Sequence, residues 1–83
     1  MKNILIIGAG KSSSSLIKYL LEKSNKENLM LTIGDISTEN ALKLIDNHKN
    51  AEAIQLDILD NIQREKAIKR SDIVISMLPA RFH

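Results

Sequence analysis

The chain has 83 residues, 43% of them hydrophobic and 27% charged, with a formal net charge of +2, which is ordinary composition for a globular domain. It contains no cysteine, which excludes disulfides and thiolate metal sites, and His48 and His83 lie too far apart to form a zinc pair. The basic residues are interleaved with acids and have no aromatic platform beside them, so nucleic acid is not an expected partner.

The first element is the apolar run Ile4-Leu5-Ile6-Ile7, read as a strand over 3–7. It shows no polar alternation, as expected of a strand buried on both faces. Four apolar residues after Met1-Lys2-Asn3 are too few for a signal segment or a membrane span. The expected location is therefore cytoplasmic, with no membrane partner.

Gly8-Ala9-Gly10 turns the chain sharply into a helix over 11–23. Its apolar positions Leu16, Ile17, Leu20 and Leu21 recur at helical spacing, with Ser13 on the same face. Lys23 to Asn28 reads as a polar loop. A second strand over 29–33 ends at Gly34-Asp35. Ser37 or Thr38 caps a second helix that turns Ala41, Leu44 and Ile45 inward. The turn over 47–50 holds His48, read as solvated. A third strand over 52–56 leads to Asp57 and Ile58. Asp60 or Asn61 starts a third helix with an apolar face of Ile62, Ala67 and Ile68. Lys66, Lys69 and Arg70 in its last turns complement the helix dipole. Ser71-Asp72 turns into a fourth strand over 73–77, which Leu78-Pro79 terminates.

Strands alternating with helices imply an α/β fold with a parallel sheet and right-handed crossovers. The expected architecture is a partial Rossmann fold: four parallel strands in the order 3-2-1-4 with flanking helices. A complete domain of this kind needs about twice this length, at about 30 residues per βαβ unit. The expectation is thus that residues 1–83 form the N-terminal part of a dinucleotide-binding domain, with the remainder and a substrate domain lying beyond it. Aromatic residues are limited to Tyr19 and Phe82, so the core must be built from Ile, Leu, Val and Ala.

The glycine turn carries the functional reading. A strand, a tight turn and a helix aim free backbone N–H groups and the positive end of the helix dipole at one point. A pyrophosphate fits there. In the G-x-G-x-x-G pattern the first glycine makes the turn, the second lets the backbone approach phosphate, and the third lets helix pack on strand. Gly8 and Gly10 take the first two places, and Ser13, still small, takes the third. Lys11 and Ser12 lie in the first turn beside the phosphates. Gly10-Lys11-Ser12 also mimics the end of a Walker A loop. That loop needs a glycine where this chain has Leu5, inside the strand.

Asp35 closes the second strand, 27 residues after Gly8. The fold places there the acid that hydrogen-bonds the adenosine ribose hydroxyls. A carboxylate followed by Ile36, rather than by Arg or Lys, repels a 2′-phosphate. NAD is therefore the expected cofactor over NADP. Gly34 leaves room for the adenosine, and Asp57 and Ile58 border the adenine. Met77, Leu78 and Pro79 lie at the end of the fourth strand, beside the point where strand order reverses and the nicotinamide passes. No metal site is expected. His83 is titratable beside the cleft, but no catalytic residue is assigned.

Taken together, these residues resemble the N-terminal cofactor domain of the saccharopine dehydrogenase family over the whole chain. The resemblance rests on Ile6-Ile7-Gly8-Ala9-Gly10 with Ser13, on Ala53 to Asp60 as a third-strand signature, and on Ser71 to Pro79 followed by His83. The last is the most specific, since the family shows an aspartate, an apolar strand, a proline and a histidine four residues on. The resemblance implies an oxidoreductase that interconverts a secondary amine and an imine with a nicotinamide cofactor, on an amino-acid substrate, in lysine metabolism. It further implies that the chain alone is inactive, and a homodimer is the expected assembly of the full-length protein. Two other readings share part of the pattern. One is a regulatory nucleotide-binding module of the kind that gates potassium transporters, which the Leu78-Pro79 stop with His83 disfavours. The other is a structural α/β domain with a vestigial site, which Gly8, Gly10 and Asp35 together disfavour.

Overall fold

The computed structural model describes residues 1–8, 11–46 and 48–77, with Lys11 and Ser12 as backbone. Gly10, Leu78, Pro79 and His83 fall outside the described residues. Seven elements follow in the expected alternation: β1 (Lys2–Ile7), α1 (Lys11–Glu27), β2 (Leu29–Asp35), α2 (Thr38–Ile45), β3 (Ala51–Gln55), α3 (Asn61–Lys69) and β4 (Ile73–Ser76). The strands form one parallel sheet in the order β3-β2-β1-β4, as the alternating pattern implies.

β1 is central because its side chains are apolar on both faces. Ile4 and Ile6 pack with Ile17 of α1, Ala41 and Ile45 of α2, and Leu31 and Ile33 of β2. Leu5 and Ile7 point the other way, toward Ala67 of α3 and Leu56, which follows β3. The strand alternation thus divides one apolar run between two layers. Leu5, which stands where a Walker A glycine would be, is completely buried.

α1 runs past the expected residue 23 to Glu27. Ser13, Ile17 and Ser24 are buried along one stripe, the spacing of successive turns on one helix face. Ser24 reads as a loop residue by composition, yet its Oγ donates to the Leu21 carbonyl at 2.7 Å. Asn28 then takes φ 56°, a left-handed conformation that ends a helix and that asparagine tolerates. Asn50, before β3, ties this end of α1 to the sheet. Its Nδ2 donates to Ser24 Oγ at 3.0 Å and to Asn25 Oδ1 at 2.7 Å. His48 is half-buried rather than solvated, and its Nδ1 accepts the Asn50 N–H at 3.1 Å.

Both expected helix starts hold, with different chemistry. Asp60 caps α3 by accepting from the N–H groups of Ile62 and Gln63. Ser37 occupies the cap position of α2, but its side chain makes no cap bond. The expected apolar face of α3 does not form. Ala67 is buried, while Ile62 is 67% exposed and Ile68 41% exposed. At 3.6 residues per turn, Ile62 stands about 140° around the helix from Ala67, so the two cannot share a face. β4 is one edge of the sheet, with Ile73 and Val74 both exposed.

Candidate functional site

The C-terminal ends of the four strands are aligned by three backbone bonds beyond the regular ladders. Gly8 donates its N–H to the Gly34 carbonyl at 2.8 Å, Leu56 to Asp35 at 2.9 Å, and Met77 to Ile7 at 2.8 Å. Their effect is to fix the loops that follow the strands as one rim. Ligands of open parallel sheets bind outside this edge.

Gly8 is buried and adopts φ 103°. An L-residue with a Cβ rarely enters that region. The turn that reverses β1 into α1 therefore depends on glycine at this position, as its place in the motif implies. Ser13 is fully buried on the face of α1 that carries Ile17, consistent with a small residue where helix packs on strand.

A cleft of about 260 Å³ opens at the rim, lined by Ile7, Gly8, Gly34, Asp35, Ile36, Leu56, Asp57, Ile58 and Leu59. It brings together six of the residues singled out in the sequence: Gly8, Gly34, Asp35, Ile36, Asp57 and Ile58. The backbone of Lys11 and Ser12 lies in the first turn of α1. Met77 does not line this cleft and packs instead against the α1–α2 side of the core. Leu56 and Leu59 are lining residues that the sequence reading did not single out. The available signal for Leu59 was two aliphatic residues between Asp57 and Asp60 in an otherwise polar connection.

The role of Gly34 differs from the expected one. A Cβ on Gly34 would lie 2.8 Å from Leu56 Cδ2 and 3.2 Å from Leu56 Cβ. The missing side chain is thus filled by Leu56, which forms the floor of the cleft, rather than left open for adenosine. The two acids of the rim also shape their own loops. Asp35 Oδ1 accepts the Ser37 N–H at 2.8 Å, and Asp57 Oδ1 accepts the Leu59 N–H at 3.0 Å. Among the described residues no group of three or more His, Asp or Glu side chains is placed to hold a metal ion. No helix among them is long and apolar enough to cross a membrane.

A left-handed glycine between the first strand and helix, an acid at the end of the second strand and a cleft between them define a Rossmann-type dinucleotide-binding domain. Residues 4–83 match the family described as saccharopine dehydrogenase NADP binding domain, and the chain belongs to that family. It is 32% identical over its full length to saccharopine dehydrogenase [NADP(+), L-glutamate-forming] of Schizosaccharomyces pombe, covering 18% of that protein. The enzyme of the same name from Saccharomyces cerevisiae is 29% identical over 99% of the chain, again across 18% of its own length. The apo structure of the S. cerevisiae enzyme superposes with a TM-score of 0.87 over 100% of this chain. A dTDP-glucose 4,6-dehydratase from Bacillus anthracis superposes at 0.73 with 24% identity, a likeness of fold. The chain therefore spans about a fifth of the length of the saccharopine dehydrogenases it matches.

These relatives correct the cofactor expectation. The family is an NADP-binding one and both fungal relatives are NADP(+) enzymes, against the preference for NAD drawn from Asp35 and Ile36. That preference treats the Asp35 carboxylate as a charge standing ready for the ribose. In the structure one of its oxygens is engaged by the Ser37 N–H, closing the turn into α2. Two hydroxyl residues, Ser37 and Thr38, follow at the positive end of that helix, where a phosphate is favoured. An acid at the end of β2 is therefore not sufficient to exclude a 2′-phosphate.

The residues present fit the cofactor. Gly8 with its left-handed backbone, the apolar Leu56 and Ile58, and the polar end of β2 line one cleft, a set of groups whose chemistry suits a dinucleotide.

Proposed function

We propose that this chain is the NADP-binding portion of an oxidoreductase of the saccharopine dehydrogenase type, interconverting a secondary amine and an imine on an amino-acid substrate in lysine metabolism. The observation that carries the reading is the family match over residues 4–83, joined to the cleft that opens beside Gly8. NADP, when bound, supplies hydride transfer. The chain's own residues bind and orient it. The turn at Gly8 and the first turn of α1 would receive the pyrophosphate, Asp35 would border the adenosine ribose, and Ser37 and Thr38 would offer donors to the 2′-phosphate. Asp57 and Ile58 border the adenine. Substrate-binding groups belong to the remainder of a protein several times longer, so the chain alone binds cofactor without turnover.

Titration of the chain with NADPH and NADH, followed by backbone amide shifts, tests this reading. NADPH should move the amides of Gly8, Ser13, Asp35 and Ile36, and NADH should do so more weakly. A folded chain in which neither cofactor moves them would refute the proposal.

A further inference from the structure

The two edges of the sheet are not equivalent. In the strand order 3-2-1-4-5-6 of a complete dinucleotide-binding domain, β4 gains a neighbour and β3 stays terminal. Among the described strands, β3 pairs with β2 alone. Leu31 donates its N–H to the Asn50 carbonyl, and Leu56 donates to Asp35. In a parallel ladder alternate residues bond to the neighbouring strand, so Glu52 and Ile54 turn their backbone groups to β2. Ala53 and Gln55 turn their N–H groups outward, and Ala51 and Ala53 their carbonyls. Such a row is a template for another strand unless a charge, a proline or a bulge guards it. Here the outward residues are two alanines and a glutamine. The charge that the strand carries, on Glu52, is met by Arg70 at 3.3 Å and by the Thr32 hydroxyl at 3.1 Å.

α2 adds an apolar flank to the same edge. Its Ala41 and Ile45 are buried and Leu44 packs against the core. Leu42 lies about 100° around the helix from Ala41, on the flank away from Leu44. α2 packs on α1, β2 and β3, and the right-handed crossover turns the Leu44 flank toward α1. Leu42 is therefore on the outer flank, beside the edge strand, and it is 54% exposed.

The sequence of the edge decides what fits it. Lys49 stands four residues before Ala53, and Asp57 four residues after it. An antiparallel copy of the same strand, with its two-fold axis at Ala53, sets Lys49 of each copy against Asp57 of the other. It also pairs both outward N–H groups, Ala53 with the Ala53 carbonyl and Gln55 with the Ala51 carbonyl. The Ala51 N–H is already bound to the His48 carbonyl at 3.2 Å. At the usual strand spacing of about 4.8 Å, α2 comes to about 10 Å from its copy, a distance at which helices pack. The two Leu42 flanks then meet, and the small alanines leave room beneath them.

We propose that β3 is an interface for a second copy of this chain, pairing antiparallel about Ala53 into one continuous sheet. The charges, the hydrogen-bond register and the Leu42 flank are each self-complementary about a single axis, as a two-fold interface requires. No cofactor is needed for it.

Sedimentation equilibrium and amide hydrogen exchange on the chain test this. The chain should form a dimer as its concentration rises. The N–H groups of Ala53 and Gln55 should gain protection over the same range, since a monomer leaves them to water. Leu42→Glu sets two carboxylates against each other across the axis, and Lys49→Glu sets one against Asp57. Both side chains are exposed, so each variant should keep a folded amide spectrum. Each should weaken the dimer about tenfold or more, through like charges brought together. A folded chain that stays monomeric up to about 1 mM would overturn the proposal. So would a dimer that protects Val74 on β4 in place of Ala53 and Gln55, or one that both variants leave within about twofold of wild type.

Discussion

Asn50→Ala should be among the most damaging single polar substitutions in this chain. Asn50 is 9% exposed and donates twice, to Ser24 Oγ and to Asn25 Oδ1. The direction of the first bond is fixed by Ser24, whose own proton goes to the Leu21 carbonyl, so its oxygen must accept. Each hydrogen bond contributes about 1 kcal/mol net, and an abandoned buried partner adds to the loss. The expected cost is about 2 kcal/mol. A domain of this size has a total stability of about 4–12 kcal/mol, at 0.05–0.15 per residue. The melting temperature should fall by about 8–16 °C, at about 4–8 °C per kcal/mol. Urea unfolding should show a lower midpoint with an unchanged slope. Asn50→Asp should be no better than the alanine, because its oxygens cannot donate to Ser24. A double-mutant cycle with Ser24→Ala should show coupling of about 1 kcal/mol. NADPH affinity should not change, since the brace holds the start of β3, at the other end of the strands from the cleft. An Asn50→Ala protein within about 0.5 kcal/mol of wild type, or a strictly additive cycle, would refute the reasoning.

Gly8→Ala should lose NADPH binding and cost about 1–3 kcal/mol, because alanine is strained at φ 103°; calorimetry and a thermal melt measure both. Gly34→Ala should cost about 1–3 kcal/mol by overpacking Leu56, whose Cδ2 would stand 2.8 Å from the new carbon. Equal melting temperatures for Gly34→Ala and wild type would contradict that packing. Asp60→Ala should cost about 1 kcal/mol in chemical unfolding, from the loss of the two N–H bonds it accepts at the start of α3. Arg70→Ala should change stability by less than about 0.5 kcal/mol, since its 3.3 Å pair with Glu52 is solvent-exposed on both sides.

The cleft was legible in part. Gly8, Asp35, Ile36, Asp57 and Ile58 are fixed in place by motif spacing and by the rule that parallel strands end at one edge, so the sequence locates them. Leu59 went unread because its connection is short and its backbone conformation depends on Asp57, Gln63 and Arg64 bonding the loop from three directions. The cofactor preference failed for a related reason. It weighed the charge of one side chain without the turn that this side chain closes.

The sequence by itself determined the alternation of strands and helices, the central place of β1, the order of the sheet and the glycine turn. Those follow from local propensity, from hydrophobic period and from the handedness of crossovers, all of which act over a few residues or a single unit. The tertiary structure alone decided which polar groups meet. Ser24 and Asn50 are 26 residues apart in the chain, and Gly34 lies on β2 while Leu56 follows β3. The exposed isoleucines of α3 depend on which face that helix turns to the sheet. Such contacts depend on how finished elements come to rest against each other, and the free energy of a buried pair exists only once both partners have left water together.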